Sequence, residues 1–73
     1  MGVGEMSKLK YEGTYEVEYD FREDDDLAFE QAFLTLLKRL GANEINIRKR
    51  YNAKITDEDK ACGTVNITLE RLT

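Results

Sequence analysis

The sequence predicts an α+β fold in which three strands and one helix follow in the order β-α-β-β. Residues 11–21 and 44–55 alternate between apolar and polar side chains, and a third segment does so from residue 62. An apolar stripe at helical spacing lies between the first two. Side chains alternate between the faces of a strand but recur every three or four residues on a helix, so these periods separate the element types. We expect the helix to pack on one face of a three-stranded sheet.

The length of the chain limits the size of its core. With 73 residues, we expect one small domain over residues 9–73. Residues 1–8 contain two glycines and no periodicity, which predicts a disordered N-terminal segment. A domain of this size buries only about 60% of the surface of its unfolded chain. Association with another molecule would therefore add to a limited stability.

The first predicted strand runs from residue 9 to residue 21 and has an acidic face. Its odd positions form the apolar face and are Tyr11, Gly13, Tyr15, Val17, Tyr19 and Phe21. Its even positions form the polar face and are Glu12, Thr14, Glu16, Glu18 and Asp20. The eleven alternating residues 11–21 extend about 36 Å as a strand, which exceeds the length of the predicted helix and leaves part of the strand uncovered.

The predicted helix has consistent signals at its start, along its face and at its end. The aspartates at 24–26 stand where an N-cap and the positive end of the helix dipole favour carboxylates. Lys38 and Arg39 suit the last turn, and Gly41 follows as a residue that adopts a left-handed conformation easily. The inward stripe consists of Phe29, Phe33, Leu36, Leu37 and Leu40. A helix of about 16 residues spans about 24 Å.

The second predicted strand covers residues 43–55 and has a basic face. Its apolar positions are Ile45, Ile47, Tyr51, Ala53 and Ile55, and its polar face includes Arg48, Arg50 and Lys54. Lys49 falls on the inward parity, where a charge discourages the pairing of one sheet edge with another. The sequence TDEDK at residues 56–60 predicts a polar turn.

The third predicted strand covers residues 62–72. Its inward positions are Gly63, Val65, Ile67 and Leu69, and its outward positions are Thr64, Asn66, Thr68 and Glu70. Arg71 and Leu72 reverse this parity, so we expect the strand to bulge or end near them.

The connections predict a fully antiparallel sheet of order 1-3-2. The helix carries the chain back, so the first and second strands run in the same direction. A hairpin reverses the third strand, which lies either between the other two or outside them. We favour the central position, because parallel pairing is unusual in a small sheet with one wet face. The charged strands are then the edges, and the first lacks an inward lysine, so its edge is the expected site for another subunit.

Opposite charges on the two edge strands predict contacts between molecules. In the order 1-3-2 a neutral strand separates them, so they are too far apart to pair within one chain. The predicted interface residues are Glu12, Glu16, Glu18, Arg48, Arg50 and Lys54. This complementarity and the uncovered length of the first strand lead us to expect a homo-oligomer.

The residue types present argue against catalysis. The chain contains no histidine, which excludes imidazole-dependent catalysis and imidazole metal ligands. Ser7 is the only serine, and Cys62, the only cysteine, has no imidazolium to lower its pKa. The acidic residues near 20–26 and 57–59 lack the ligand spacing of a calcium loop, so we interpret them as a helix start and a solvated loop. We expect neither an enzyme nor a metal site.

Net charge and hydropathy limit the classes of partner that we expect. A formal net charge of −4 disfavours a dedicated nucleic-acid binder, since neutralisation of phosphates supplies most of that affinity. The chain has no stretch of about 18 apolar residues and no signal-peptide pattern. We therefore expect no membrane partner and a cytoplasmic location.

Three features together resemble a known family. They are the β-α-β-β order, the sequence FEQAF at the start of the helix and the hairpin ending in CGTVNITLERL. These features resemble dodecin, a small cytoplasmic flavin-binding fold that assembles into a hollow shell, which implies a homo-oligomer and flavin as a ligand. Dodecin stacks flavin on a tryptophan of its second strand, whereas this chain has no tryptophan and carries Arg48, Lys49 and Arg50 in that region. The residues themselves therefore predict no cofactor.

A second resemblance concerns the phrases GANEINI and GTVNI. They resemble the helix exit and the last strand of small periplasmic β-α-β-β stress domains. Those domains carry a signal peptide, a pattern that this sequence does not show. Both resemblances imply the fold more than the function.

The sequence leads to three functional hypotheses. The first is a small non-enzymatic module that self-associates and binds a partner protein or small ligand at its sheet or interface. The alternative is an acidic inhibitor of the phage type, whose carboxylates mimic the phosphates of a nucleic acid toward a protein partner. The third is nucleic-acid contact through the basic segment 48–54.

Overall fold

The computed structural model describes residues 10–72, which form three strands and two helices. In chain order these are β1 (Gly13–Glu18), α1 (Asp25–Leu40), α2 (Glu44–Arg50), β2 (Tyr51–Asp59) and β3 (Thr64–Arg71). The predicted disordered segment 1–8 lies outside the described residues. The assignment of residues 9–73 to one domain stays a prediction.

The three strands form one antiparallel sheet in the order β1-β3-β2. Tyr15 of β1 and Ile55 of β2 both lie opposite Ile67 of β3, which defines the register across the sheet. The predicted α+β class and strand order are confirmed. This order keeps β1 and β2, which run in the same direction, from becoming parallel neighbours. β1 is shorter than the predicted strand, so the long uncovered overhang is absent from the described part of the chain.

Helix α1 matches the predicted helix in its bounds, and of the predicted stripe only Phe29 and Leu40 are half-buried and not fully buried. Asp25 and Asp26 lie in the first turn, and Gly41 ends the helix in the left-handed conformation with φ of 66°. Asp24 is the N-cap residue, but its side chain makes no capping hydrogen bond. Its contribution is therefore its charge near the positive end of the helix dipole. The buried residues of the helix are Ala28, Ala32, Phe33, Leu36 and Leu37.

The predicted strand over residues 43–55 is wrong in its first half, because Glu44–Arg50 forms the helix α2. Asn43 caps this helix. Its side-chain oxygen accepts hydrogen bonds from the backbone N–H groups of Ile45 at 2.9 Å and Asn46 at 3.2 Å. These bonds satisfy donors that the first turn of a helix leaves without a partner.

The isoleucines of α2 show why the alternating pattern predicted a strand where the structure has a helix. A strand would place Ile45 and Ile47 on the same buried face. On the helix, Ile47 is 2% exposed and packs into the core, whereas Ile45 is 65% exposed. Lys49 also lies on this helix, so it is not the inward charge of an edge strand.

The hairpin between β2 and β3 begins later than predicted. The segment 56–60 was expected to be a turn, but β2 continues through Asp59. The turn lies at residues 60–63, where Gly63 has φ of 71°, a conformation that favours glycine. β3 then starts at Thr64, two positions after the predicted start at Cys62, and ends at Arg71 as the change of parity predicts.

A bulge interrupts the pairing of β2 with β3. The register shifts between Ile55 and Asp57, which leaves Thr56 as the extra residue. The Thr56 hydroxyl lies 3.3 Å from the backbone oxygen of Asn66 and donates a hydrogen bond to it. The bulge divides β2 into an apolar first part and an acidic last part.

The core lies between α1 and the inner face of the sheet. Its fully buried side chains come from both layers and are Phe33, Leu36, Ile67, Leu69, Val17 and Val65. Burial is most complete on the central strand, where Val65, Ile67 and Leu69 are at most 1% exposed. On the edge strands, Val17 of β1 and Tyr51 of β2 are buried, whereas Tyr15, Ala53 and Ile55 are half-buried. Helix α1 lies closer to β1 than to β2.

Candidate interaction site at the sheet edges

The predicted acidic interface residues lie on or next to β1. Glu16 and Glu18 are exposed on the outer face of the sheet, opposite to the face that α1 covers, and Glu12 directly precedes the strand. The register aligns Glu16 with Asn66 of β3 and Asp57 of β2. The next row consists of Glu18, Thr64 and Asp59. One end of the outer face is therefore acidic on both edge strands.

The predicted basic interface residues do not share one strand face. Arg48 and Arg50 lie on α2, and only Lys54 lies on β2. The ammonium group of Lys54 forms an ion pair with Glu70 of β3 at 3.2 Å. The predicted basic stripe is wrong, because its first half belongs to a helix.

Arg48 anchors α2 to α1. Its guanidinium lies 2.8 Å from the carboxylate of Glu44 on the same helix and 3.2 Å from that of Glu30 on α1. It also lies 4.7 Å from the centre of the Phe33 ring, a cation–π distance. The hydrogen bond to Glu44 raises the pKa of Arg48, an effect that the nearby charge of Glu30 reinforces. These contacts give Arg48 a structural role.

The free edge of β1 is partly covered. Tyr19 donates its backbone N–H to Gly63 of the hairpin, so the odd residues of β1 bond toward β3 and the even residues point their backbone groups away from it. Arg39 of α1 donates from its Nη2 to the backbone oxygen of Glu16 at 2.8 Å. This side chain occupies one acceptor of the edge. Within residues 10–72, no hydrogen bond reaches the outward backbone groups of Thr14 or Glu18, so the rest of this edge is open and the predicted site for another subunit stays a prediction.

The free edge of β2 also presents outward backbone groups. Leu72 donates its backbone N–H to Arg50 at 2.9 Å, so by alternation Tyr51, Ala53 and Ile55 direct their backbone groups away from β3. The Tyr51 N–H bonds to Ile47 in α2. Within residues 10–72, no hydrogen bond reaches the outward backbone groups of Ala53 or Ile55. These two residues offer donors and acceptors to an added strand.

An apolar groove runs beside the open part of the β2 edge. Its volume is about 280 Å³. The residues that line it are Phe29, Phe33, Arg48, Tyr51, Asn52, Ala53 and Leu72. Leu72 is 46% exposed, and Phe29 is half-buried. A strand added at this edge would extend the inner face of the sheet, on which Tyr51 and Ala53 border the groove.

The last part of β2 is less suited to strand addition. The bulge at Thr56 interrupts the regular spacing, and Asp57, Glu58 and Asp59 follow it in exposed positions. Bulges and charges are devices by which natural edge strands resist pairing. The candidate site is therefore limited to residues 51–55 and the groove beside them.

A second concave region lies where β1 leads into α1. Its volume is about 450 Å³, and its lining includes Asp20, Arg22 and Cys62. Arg22 forms an ion pair with Asp20 at 3.0 Å and, mainly through this hydrogen bond, lowers the pKa of that carboxyl. Contact with Asp59 raises the pKa of the exposed Cys62 thiol. A raised pKa keeps the thiol protonated and makes it a poor nucleophile.

In the part of the chain that the structure describes, no group of three or more histidine, cysteine, aspartate or glutamate residues is arranged to hold a metal ion. The expectations of no catalysis and no cofactor stay predictions. Across residues 10–72, no helix is both long enough and apolar enough to cross a membrane.

Comparisons with known proteins do not assign this chain to a family. No protein-family model, no curated protein and no solved structure matches it. The likeness to dodecin therefore stays an expectation from the sequence.

The contacts that distinguish the two sheet edges were not identified from the sequence. Arg39 was read only as a cation at the end of a helix, and its contact with Glu16 depends on how α1 lies over the sheet. The helix α2 does have a sequence signal. Asn43 is a favourable N-cap, and Glu44 and Arg48 have the spacing of a helical ion pair.

Proposed function

We propose that this protein is a small non-enzymatic module that self-associates through the edge of β2. The observation that carries the proposal is the combination of outward backbone groups at Ala53 and Ile55 with an apolar groove beside them. Main-chain hydrogen bonds supply affinity in strand addition, and side-chain pockets supply specificity. The cytoplasmic location belongs to this proposal, as does any partner protein or small ligand held at the interface.

A second copy is the occupant that the charges favour. The basic end of α2 directly precedes β2, and acidic residues end β2, so one chain carries both complementary surfaces along one edge. A partner of uniform charge would be repelled at one of the two ends. Pairing across this edge would also cover the half-buried Ala53 and Ile55.

Proline substitution tests the edge directly. The N–H of Ala53 points away from β3, so Ala53→Pro removes an outward donor without breaking the ladder inside the sheet. We expect the wild type to show concentration-dependent association in sedimentation velocity, and Ala53→Pro to remain monomeric.

Thr14→Pro is the matched control, because the N–H of Thr14 points outward from the edge of β1. We expect this variant to associate like the wild type. A wild type that stays monomeric at hundreds of micromolar would overturn the proposal. Equal loss of association in both proline variants would show that the β2 edge is not the specific site.

The acidic outer face favours the alternative function. Glu16 and Asp57 lie in one row across the sheet, and Glu18 and Asp59 lie in the next, so carboxylates of both edge strands share one surface. Such a surface suits a basic protein partner. Reversal of Glu16 and Asp57 to lysine should then weaken retention of this protein on immobilised cationic peptides, whereas reversal of Glu23 and Asp26 should not.

Nucleic-acid contact through the segment 48–54 is the third hypothesis. The basic residues of this segment do not form a continuous surface. The structure separates Arg48 and Arg50 on α2 from Lys54 on β2. Arg48 and Lys54 are also engaged by carboxylates. An unchanged gel shift after substitution of all three by alanine would remove this hypothesis.

A further inference from the structure

We propose that the second copy adds its β2 strand in the antiparallel direction, with Ala53 opposite the partner's Ala53. This inference rests on the proposed function and specifies the orientation and register of the pair. The contact is isologous, so each surface of one copy meets the complementary surface of the other.

The backbone limits the registers that are possible. Only residues whose backbone N–H and C=O groups point away from β3 can bond to an added strand. Residues 51, 53 and 55 of one copy must therefore lie opposite residue 51, 53 or 55 of the other. With Ala53 at the centre, Tyr51 lies opposite the partner's Ile55. Both side chains belong to the inner face, and an aromatic residue opposite a β-branched one is a favourable cross-strand pair.

Lys54 selects among the registers that remain. In the proposed register it lies opposite the partner's Asn52. A shift to either neighbouring register places it opposite the partner's Lys54 or the partner's Arg50. Like charges directly opposite each other destabilise a strand pair, so the register centred on Ala53 is favoured.

The two ends of β2 provide the complementary charges. Lys49 and Arg50 precede the open edge, and Asp57 and Glu58 follow it. An antiparallel pair brings the basic end of one copy, at Lys49 and Arg50, toward the acidic end of its partner, and the two-fold axis repeats this contact at the other end. Among the described residues, neither Lys49 nor Arg50 takes part in an ion pair. A parallel pair would instead set basic against basic and acidic against acidic.

Complementary charge reversal tests the orientation. One variant carries Lys49→Glu and Arg50→Glu, and the other carries Asp57→Lys and Glu58→Lys. We expect each variant alone to associate at least about tenfold more weakly than the wild type, because like charges then meet at both ends. An equimolar mixture should form a mixed dimer, measured by native mass spectrometry.

Matched controls separate this contact from net charge. Arg22→Glu with Lys38→Glu makes the same change in net charge as the first variant, and Glu23→Lys with Asp26→Lys makes the same change as the second. All four residues are exposed and lie outside β2. We expect both controls to associate like the wild type. Two results would overturn the antiparallel orientation if the wild type dimerises: each reversed variant dimerises alone, or the two variants do not form a mixed dimer. Neither result would contradict association through the β2 edge.

A crosslink provides a second measurement if a reversed variant fails to fold. In the proposed register the two Ala53 residues form a hydrogen-bonded pair, whose Cα atoms lie about 5.5 Å apart, within reach of a disulfide. Ala53→Cys in a Cys62→Ser background should therefore form a dimer on mild oxidation. Thr14→Cys in the same background should not. Absence of the Ala53→Cys dimer from an associating protein would contradict the register.

Discussion

The two edges of one small sheet differ in how much the helices protect them. At β1, the side chain of Arg39 bonds to the outward backbone oxygen of Glu16. At β2, no side chain within residues 10–72 bonds to the outward backbone groups of Ala53 or Ile55. The sequence predicts the β1 edge as the open one, because Lys49 was assigned to an inward position of the second strand and the first strand has no such lysine. Edge protection here depends on the position of α1, which lies closer to β1.

The largest expected effect concerns the difference in burial between the central strand β3 and the edge strand β2. Ile67→Ala should lower the free energy of unfolding by about 2–5 kcal/mol, because Ile67 is fully buried on the central strand. Ile55→Ala should cost about 1 kcal/mol in dilute solution, because Ile55 is half-buried. Urea denaturation measures both.

The comparison becomes sharper at high protein concentration. If β2 pairs with a second copy, the cost of Ile55→Ala should increase with concentration, while that of Ile67→Ala should not. Where Ile67→Ala does not fold, Ile67→Val should cost about 0.5–1.5 kcal/mol and replaces it. Equal costs for the two alanine variants in dilute solution would contradict the difference in burial between β3 and β2.

The next effect concerns the helix that precedes the open edge. Arg48→Ala removes the contacts with Glu30, Glu44 and the Phe33 ring, and should cost about 1 kcal/mol of stability. Arg50→Ala is the control. We expect little change in the stability of its monomer, since Arg50 makes no ion pair among the described residues. Similar losses in both variants would argue against a specific anchor at Arg48.

A smaller effect should appear when the protected edge is opened. Arg39→Ala frees the backbone oxygen of Glu16 and should cost less than about 1 kcal/mol, because the bond is exposed. We expect this variant to gain a second mode of association, measured by sedimentation, that Thr14→Pro removes and Ala53→Pro does not. Arg39→Lys keeps a donor and serves as the control. Unchanged association would mean that Arg39 does not protect this edge.

The smallest effect is a pKa change at the acidic end of β2. Asp59 raises the pKa of Cys62, so Asp59→Asn should lower it and speed alkylation of the thiol near neutral pH. The rate of reaction with iodoacetamide as a function of pH measures this shift. Asp57→Asn is the control, because Asp57 is not among the causes of the shift. A profile that is unchanged in Asp59→Asn would assign the raised pKa to another group.

Much of the fold could be predicted because several local signals agreed. In α1, the acidic first turn, the apolar stripe and Gly41 all indicate the same helix, and the structure places it at Asp25–Leu40. In β3, Val65, Ile67 and Leu69 alternate with polar residues and are buried as predicted. The central position of β3 was predicted because the connections make β1 and β2 run in the same direction and parallel pairing is unusual in a small sheet with one wet face.

The candidate site could be predicted only in part. An intermolecular surface on the edge of β1 was expected from the sequence and stays a prediction, whereas the surface proposed from the structure lies at the edge of β2. Lys54 was correctly placed on an edge strand, whereas Arg48 and Arg50 were assigned to that strand and lie on α2. The error arose in residues 44–50, where an alternating apolar pattern typical of a strand coincides with the N-cap signal of a helix.

The sequence by itself determined the α+β class, the long helix and the strand order, because those elements are long enough for one periodicity to dominate. Only the tertiary structure decided the state of residues 44–50, where a strand pattern and an N-cap signal are comparably strong. There the contact of Arg48 with Phe33 and Glu30 on α1 favours the helix. The tertiary structure also decided that a helix side chain occupies one acceptor of the β1 edge, since the contact of Arg39 with Glu16 joins residues distant in the chain.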